Sequence, residues 1–203
     1  IGAVGTRYAT DVVLQFQAEM VVSREAVAAE LPEDWAEGGP AVIVIHEWWG
    51  LNDQIKGVAN RLAEVGYRAL VPDLYRGKVT LEAAEAEHLM SNLDFSDAAT
   101  QDIRGAVKYL KKTSPRVAVI GFCMGGVLSI LAAVYAKETD AAVSWYGVPP
   151  QAAADTGTIK IAIQGHFALE DEHFTPAQVD APLPHTTMEA TELRESAARD
   201  VGE

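Results

Sequence analysis

At 203 residues the chain is long enough for one domain with a sizeable core, and its 49% hydrophobic and 22% charged residues are those of an ordinary globular protein. A net charge of −13 argues against nucleic acid or an anionic membrane as a partner, since both need clustered Lys and Arg. The single cysteine excludes an intramolecular disulfide and a multi-cysteine metal site.

A lone reduced thiol suits a cytoplasmic protein. No apolar stretch reaches the ~20 residues of a membrane span, and Ile1-Gly2-Ala3-Val4-Gly5 lacks the charged start and apolar core of a signal peptide. The chain starts at Ile1 rather than at methionine, which points to a fragment or a processed product.

Residues 1–40 form a divergent segment in which 12–17 and 19–22 read as short strands and 25–31 as weak helix, before a loop at 32–40. A regular pattern begins at Ala41. The run Ala41-Val42-Ile43-Val44-Ile45 has the length and continuity of a fully buried parallel strand, and it stops at His46-Glu47-Trp48-Trp49-Gly50. A helix follows from Ile55 to Val65, with Ile55, Val58, Ala59, Leu62 and Ala63 on one face and Gly66 as its stop. A second strand over 68–71 ends at Pro72-Asp73-Leu74-Tyr75-Arg76-Gly77.

Helices are expected over 81–91 and 97–112, the second facing inward through Ile103, Ala106, Val107 and Leu110. The strand Val117-Ala118-Val119-Ile120 runs into Gly121-Phe122-Cys123-Met124-Gly125-Gly126 and then a long apolar helix. A fourth strand over 142–146 stops at Gly147, and a fifth over 159–163 stops at Gln164-Gly165-His166. Beyond about 180 no sixth apolar strand appears, and 181–203 reads as a polar tail.

Strands alternating with helices argue for an α/β fold with a mostly parallel central sheet covered on both faces. Ligand sites in such sheets lie beyond the carboxyl ends of the strands. That rule gathers His46, Glu47, Asp73, Arg76, Cys123, Tyr146, His166, Asp171 and Glu172. The five histidines show no metal-ligand spacing, and neither a G-x-G-x-x-G nor a phosphate-binding loop is present, so no metal or nucleotide cofactor is expected.

A strand that turns sharply into a helix, with a nucleophile at the apex and glycines two residues to each side, is the nucleophile elbow of an α/β-hydrolase. Cys123 stands where serine is usual, and a helix N-terminus favours its thiolate. The competing reading is a glycine-rich turn around one buried cysteine. If the elbow is catalytic, the N–H of Met124 and an N–H from the first strand's loop, that of Trp48, form the oxyanion hole. Trp48 and Trp49 line a pocket or pack in the core.

Residues 40–180 resemble the dienelactone hydrolase (carboxymethylenebutenolidase) family of α/β-hydrolases. The resemblance lies in five ordered pieces: 46–52, 71–75, 121–126, Tyr146-Gly147, and 165–176. It implies a domain over 41–180, a monomer, and a Cys-Asp-His triad that opens enol lactones or small esters through an acyl-thioenzyme. It casts Cys123 as nucleophile and gives Glu47 the task of holding the resting thiol and helping to generate the thiolate when substrate arrives. Asp171 is preferred over Glu172 as the acid. Arg76, with Lys78 beside it, and Tyr146 are implied as substrate-binding, since the family prefers anionic substrates and a guanidinium suits a carboxylate. His46 braces its loop.

The family's histidine falls at or beyond the end of this chain, so its terminal strand and histidine loop are missing or diverged. His173 lies too near Asp171, which leaves His185, in a proline-flanked segment, as the candidate base. Without a base, turnover falls by about 10²–10⁴. The alternative is an impaired hydrolase scaffold, or a truncated fragment, that acts through binding.

Overall fold

The computed structural model describes residues 39–168, Val179, Thr187 and Met188. The strand expectations over 12–22, the helix at 25–31 and the candidates Asp171, Glu172, His173 and His185 lie outside the described residues.

Among the described residues six parallel strands form one sheet: β1 Ala41–Ile45, β2 Arg68–Leu70, β3 Val117–Phe122, β4 Ala141–Trp145, β5 Ala162–His166 and β6 Thr187–Met188, in the order β2-β1-β3-β4-β5-β6. Every residue of β1 is buried, as expected of a parallel strand covered on both faces. Helix α1, Asp53–Glu64, starts where the Asn52 side chain accepts from the Ile55 N–H at 3.0 Å, and it buries Ile55 and Ala59. It stops before Gly66, whose φ of 94° suits glycine. Helix α2 is Ala83–Ser91.

The expected helix over 97–112 is one turn, α3 Phe95–Asp97, a π-helical stretch Ala98–Ile103, then α4 Arg104–Leu110. Ile103, Ala106, Val107 and Leu110 are buried as their spacing requires, but the π-helical register also buries the carboxylate of Asp102. Helix α5, Met124–Tyr135, is apolar almost throughout and packs on β3 and β4.

Two strand expectations need correction. The fifth strand is not 159–163 but Ala162–His166: its pairing with β4 sets Gly165 opposite Ser144 and His166 opposite Trp145, and this ladder outweighs the apolar pattern of the preceding isoleucines. Beyond 180, a further strand does exist. Thr187 and Met188 pair with Gln164 and Gly165, too short a segment to leave a hydrophobic signature.

Candidate active site

The elbow is built by close backbone packing. A Cβ on Gly121 would overlap the Gly125 carbonyl, and one on Gly125 would stand 2.7 Å from the His46 carbonyl oxygen. Only glycine allows β3, the β1 loop and α5 to cross this closely. Cys123 itself has φ of 53°, a conformation that costs energy in a non-glycine residue and is kept where the surroundings over-determine it. Its N–H donates to the Trp145 carbonyl at 3.0 Å, and its carbonyl accepts from Val127 at 3.1 Å. The thiol is half-buried at the N-terminus of α5.

The loop after β1 faces the elbow. His46 is fully buried; its Nδ1 lies 2.6 Å from the Glu47 carbonyl oxygen, and its Nε2 lies 3.2 Å from the Leu74 N–H. A backbone N–H can only donate, so Nε2 accepts and Nδ1 carries the proton. Burial lowers the imidazole pKa, against the opposing pull of the Glu47 carbonyl and Asp73, and keeps the ring neutral. His46 thus ties the β1 loop to the β2 loop. Trp48 and Trp49 meet edge to face at 5.0 Å, with Trp48 packed against the core. No backbone hydrogen bond among the described residues takes up the N–H of Trp48 or Met124.

Glu47 Oε1 accepts from the Tyr146 hydroxyl at 3.1 Å. Tyr146 has φ of 39° and anchors its own N–H to the His166 carbonyl at 2.8 Å. Burial, the Glu47 carboxylate and then Cys123 push its phenol up to about 12. Beside it, Phe122 stacks on Trp145, and Trp145 stacks on His166 with ring centroids 3.9 Å apart. The structure therefore brings Glu47, Cys123 and Tyr146 together at the ends of β1, β3 and β4.

Arg76 and Lys78 lie exposed in the turn after β2. The Asp73 carboxylate accepts from the N–H groups of Tyr75 at 3.1 Å and Gly77 at 2.5 Å and so shapes that turn. Arg76 has φ of 56° and lies within electrostatic reach of buried Asp102. Two residues had no functional role in the sequence reading. Tyr75 lies inside the 71–75 motif piece without a role of its own there; the strand-end rule that selects Asp73 and Arg76 also reaches it. Asp102 lies in the stretch expected to be a plain helix over 97–112, and nothing in the sequence marks the π-helical register. Among the described residues no group of three His, Cys, Asp or Glu could hold a metal ion, and no helix is long and apolar enough to cross a membrane.

A family model described as the dienelactone hydrolase family matches residues 26–193. The chain belongs to this family. It is 39% identical over 145 residues to Protein usf of Aquifex pyrophilus, covering 66% of this chain and 63% of that protein. It is 34% identical over 148 residues to the Aquifex aeolicus protein named "Putative carboxymethylenebutenolidase", covering 68% of this chain and 63% of that protein. The chain thus spans a little under two thirds of the length of these relatives. Among solved structures, a dienelactone hydrolase-like promiscuous phosphotriesterase from metagenomic libraries superimposes with a TM-score of 0.65 at 26% identity, covering 77% of this chain and 70% of that one. In a dienelactone hydrolase family fold, the carboxyl ends of β1, β3 and β4 are the face on which a ligand site is expected.

Proposed function

We propose that this chain carries a carboxylic-ester or enol-lactone hydrolase site with Cys123 as nucleophile. The observation that supports this most is the position of Cys123: a non-glycine residue with positive φ, between a strand and a helix N-terminus, with its surroundings closed by glycine. The thiolate attacks the carbonyl carbon, and the oxyanion is received by the N–H groups of Met124 and Trp48. The C–O bond then breaks, the enolate or alkoxide leaves and takes up a proton, and an acyl-thioenzyme remains. Water attacks the thioester, its proton passes to a base, and carboxylate and thiolate are released.

Glu47, held by Tyr146, is proposed on family resemblance to hold the resting thiol. Asp171 and His185 are proposed as the acid and base that complete the triad, on family resemblance. Arg76, with Lys78 beside it, and Tyr146 are proposed as substrate-binding on family resemblance, a guanidinium being suited to an anionic substrate.

The test is hydrolysis of a dienelactone and of p-nitrophenyl acetate by the wild type, Cys123→Ala and His185→Ala. Cys123→Ala is expected to fall to background, a loss of at least about 10³-fold. Loss with His185→Ala by about 10²–10⁴ supports that base; wild-type activity in that variant eliminates it. A folded wild type that turns over neither substrate would replace the hydrolase reading with that of a scaffold acting through binding.

A further inference from the structure

We propose that Tyr75 is a positioning residue of the oxyanion hole, joining the Met124 end of the elbow to the loop that carries the Trp48 N–H. The inference rests on the hydrolase reading above and adds to it a residue with no direct part in the attack on substrate.

The connection is continuous. The Tyr75 hydroxyl donates to the Met124 Sδ at 3.2 Å, and both side chains are buried, at 6% and 2% exposure. The Tyr75 ring meets the His46 ring edge-on, with centroids 5.0 Å apart and planes at 63°. His46 in turn grips the Leu74 N–H and the Glu47 carbonyl, which also accepts from Gly50 at 3.2 Å. The Asp73 carboxylate holds Tyr75 from below through its N–H.

Peptide geometry gives this chain of contacts its consequence. The Glu47 carbonyl and the Trp48 N–H belong to one planar trans peptide, so fixing the direction of the carbonyl fixes that of the N–H. At the other end, Met124 supplies the second N–H from the first residue of α5. Tyr75 therefore couples the two donors, and donor geometry at the developing oxyanion decides how much an oxyanion hole is worth. Burial and then the charge of Cys123 push the phenol up to about 12, so Tyr75 remains a neutral donor at any working pH.

The test separates oxyanion chemistry from thiol chemistry. Alkylation of Cys123 by iodoacetamide forms no oxyanion, whereas acylation by p-nitrophenyl acetate does. In Tyr75→Phe, alkylation is expected within about 2-fold of wild type, while the acylation rate falls about 10- to 100-fold with KM nearly unchanged. Met124→Leu removes the sulfur acceptor at similar volume and is expected to do the same; the double variant should be no worse than either single one. Met124→Leu also keeps the test decisive if Tyr75→Phe fails to fold. Wild-type acylation in either folded variant overturns the proposal. So does an equal fall in alkylation and acylation, which would place Tyr75 on the thiolate instead. Absence of wild-type acylation at Cys123 would remove the hydrolase reading, and this inference with it; wild-type acylation in Tyr75→Phe removes this inference alone.

Discussion

The Tyr146 hydroxyl holds Glu47 at 3.1 Å, and Tyr146 feels the charges of both Glu47 and Cys123. A carboxylate kept beside a sulfur disfavours the thiolate, because two negative charges then share one half-buried site. Glu47→Gln is therefore expected to make the resting thiol more reactive. Iodoacetamide alkylation at neutral pH should accelerate by about 3- to 10-fold. Ester turnover should nevertheless fall, since the family resemblance also gives Glu47 a part in generating the thiolate when substrate arrives. An unchanged alkylation profile would mean that the carboxylate does not govern the sulfur.

The elbow glycines predict a sharp contrast within one residue type. A Cβ on Gly147 would overlap the Cys123 carbonyl and stand 2.7 Å from the Val127 nitrogen, both backbone atoms that cannot rotate aside. Gly147→Ala should destabilise by about 3 kcal/mol or more, at the severe end for a point substitution, and be seen as a large drop in Tm or as insoluble protein. Gly57 offers the opposite case: it lies in the middle of α1, and the nearest atom to an added Cβ is the flexible end of Arg61 at 3.6 Å. Gly57→Ala should raise stability by about 0.5–1 kcal/mol.

Much of this architecture can be read from the sequence because each central strand announces itself. β1 and β3 are continuous apolar runs that end abruptly in polar or glycine residues, and the strand-end rule collects Glu47, Cys123 and Tyr146 before any contact is known. β5 is harder, since Lys160 and the isoleucines around it imitate an alternating strand while the true pairing with β4 extends through Gln164, Gly165 and His166. The two residues of β6 carry no periodicity at all. Asp102 is hidden for another reason: an i→i+5 register differs from an i→i+4 register by one residue, and the spacing of Ile103, Ala106, Val107 and Leu110 fits a continuous α-helix equally well.

That register leaves a testable mark on stability. Asp102 is 4% exposed, its Oδ1 has no hydrogen-bond partner among the described residues, and burial pushes its pKa from 3.8 up to about 6, against the pull of Arg76 and with a small push from Asp97. The folded protein thus holds this proton more tightly than the unfolded chain. Stability from this group is fully present below about pH 3.8 and is lost as pH rises through about 6. Asp102→Asn should therefore be more stable than wild type at pH 8, by about 1–3 kcal/mol, and show no gain at pH 3.5. Chemical denaturation at the two pH values measures the difference; equal effects at both would show that charge is not the cause.

His46 has the opposite sign in an overlapping window. Its folded pKa lies below 6.5 because the ring is fully buried, so the unfolded chain binds its proton first as pH falls. The stability tied to neutral His46 is complete above pH 6.5 and declines as pH falls below that value. Asp102 masks this in the wild type by gaining stability over part of the same range, so the slope is best measured in Asp102→Asn. In that background, the free energy of unfolding should fall as pH drops from 7 to 5. Adding His46→Phe should flatten the slope and cost about 2–4 kcal/mol at pH 7, because the Leu74 N–H and the Glu47 carbonyl both lose the ring as partner. A slope that persists without His46 would assign the acid sensitivity to other groups. The same variant links stability to chemistry: with the Glu47 carbonyl held by the Gly50 N–H alone, the Trp48 N–H is less firmly directed, and acylation of Cys123 should slow even where the protein remains folded.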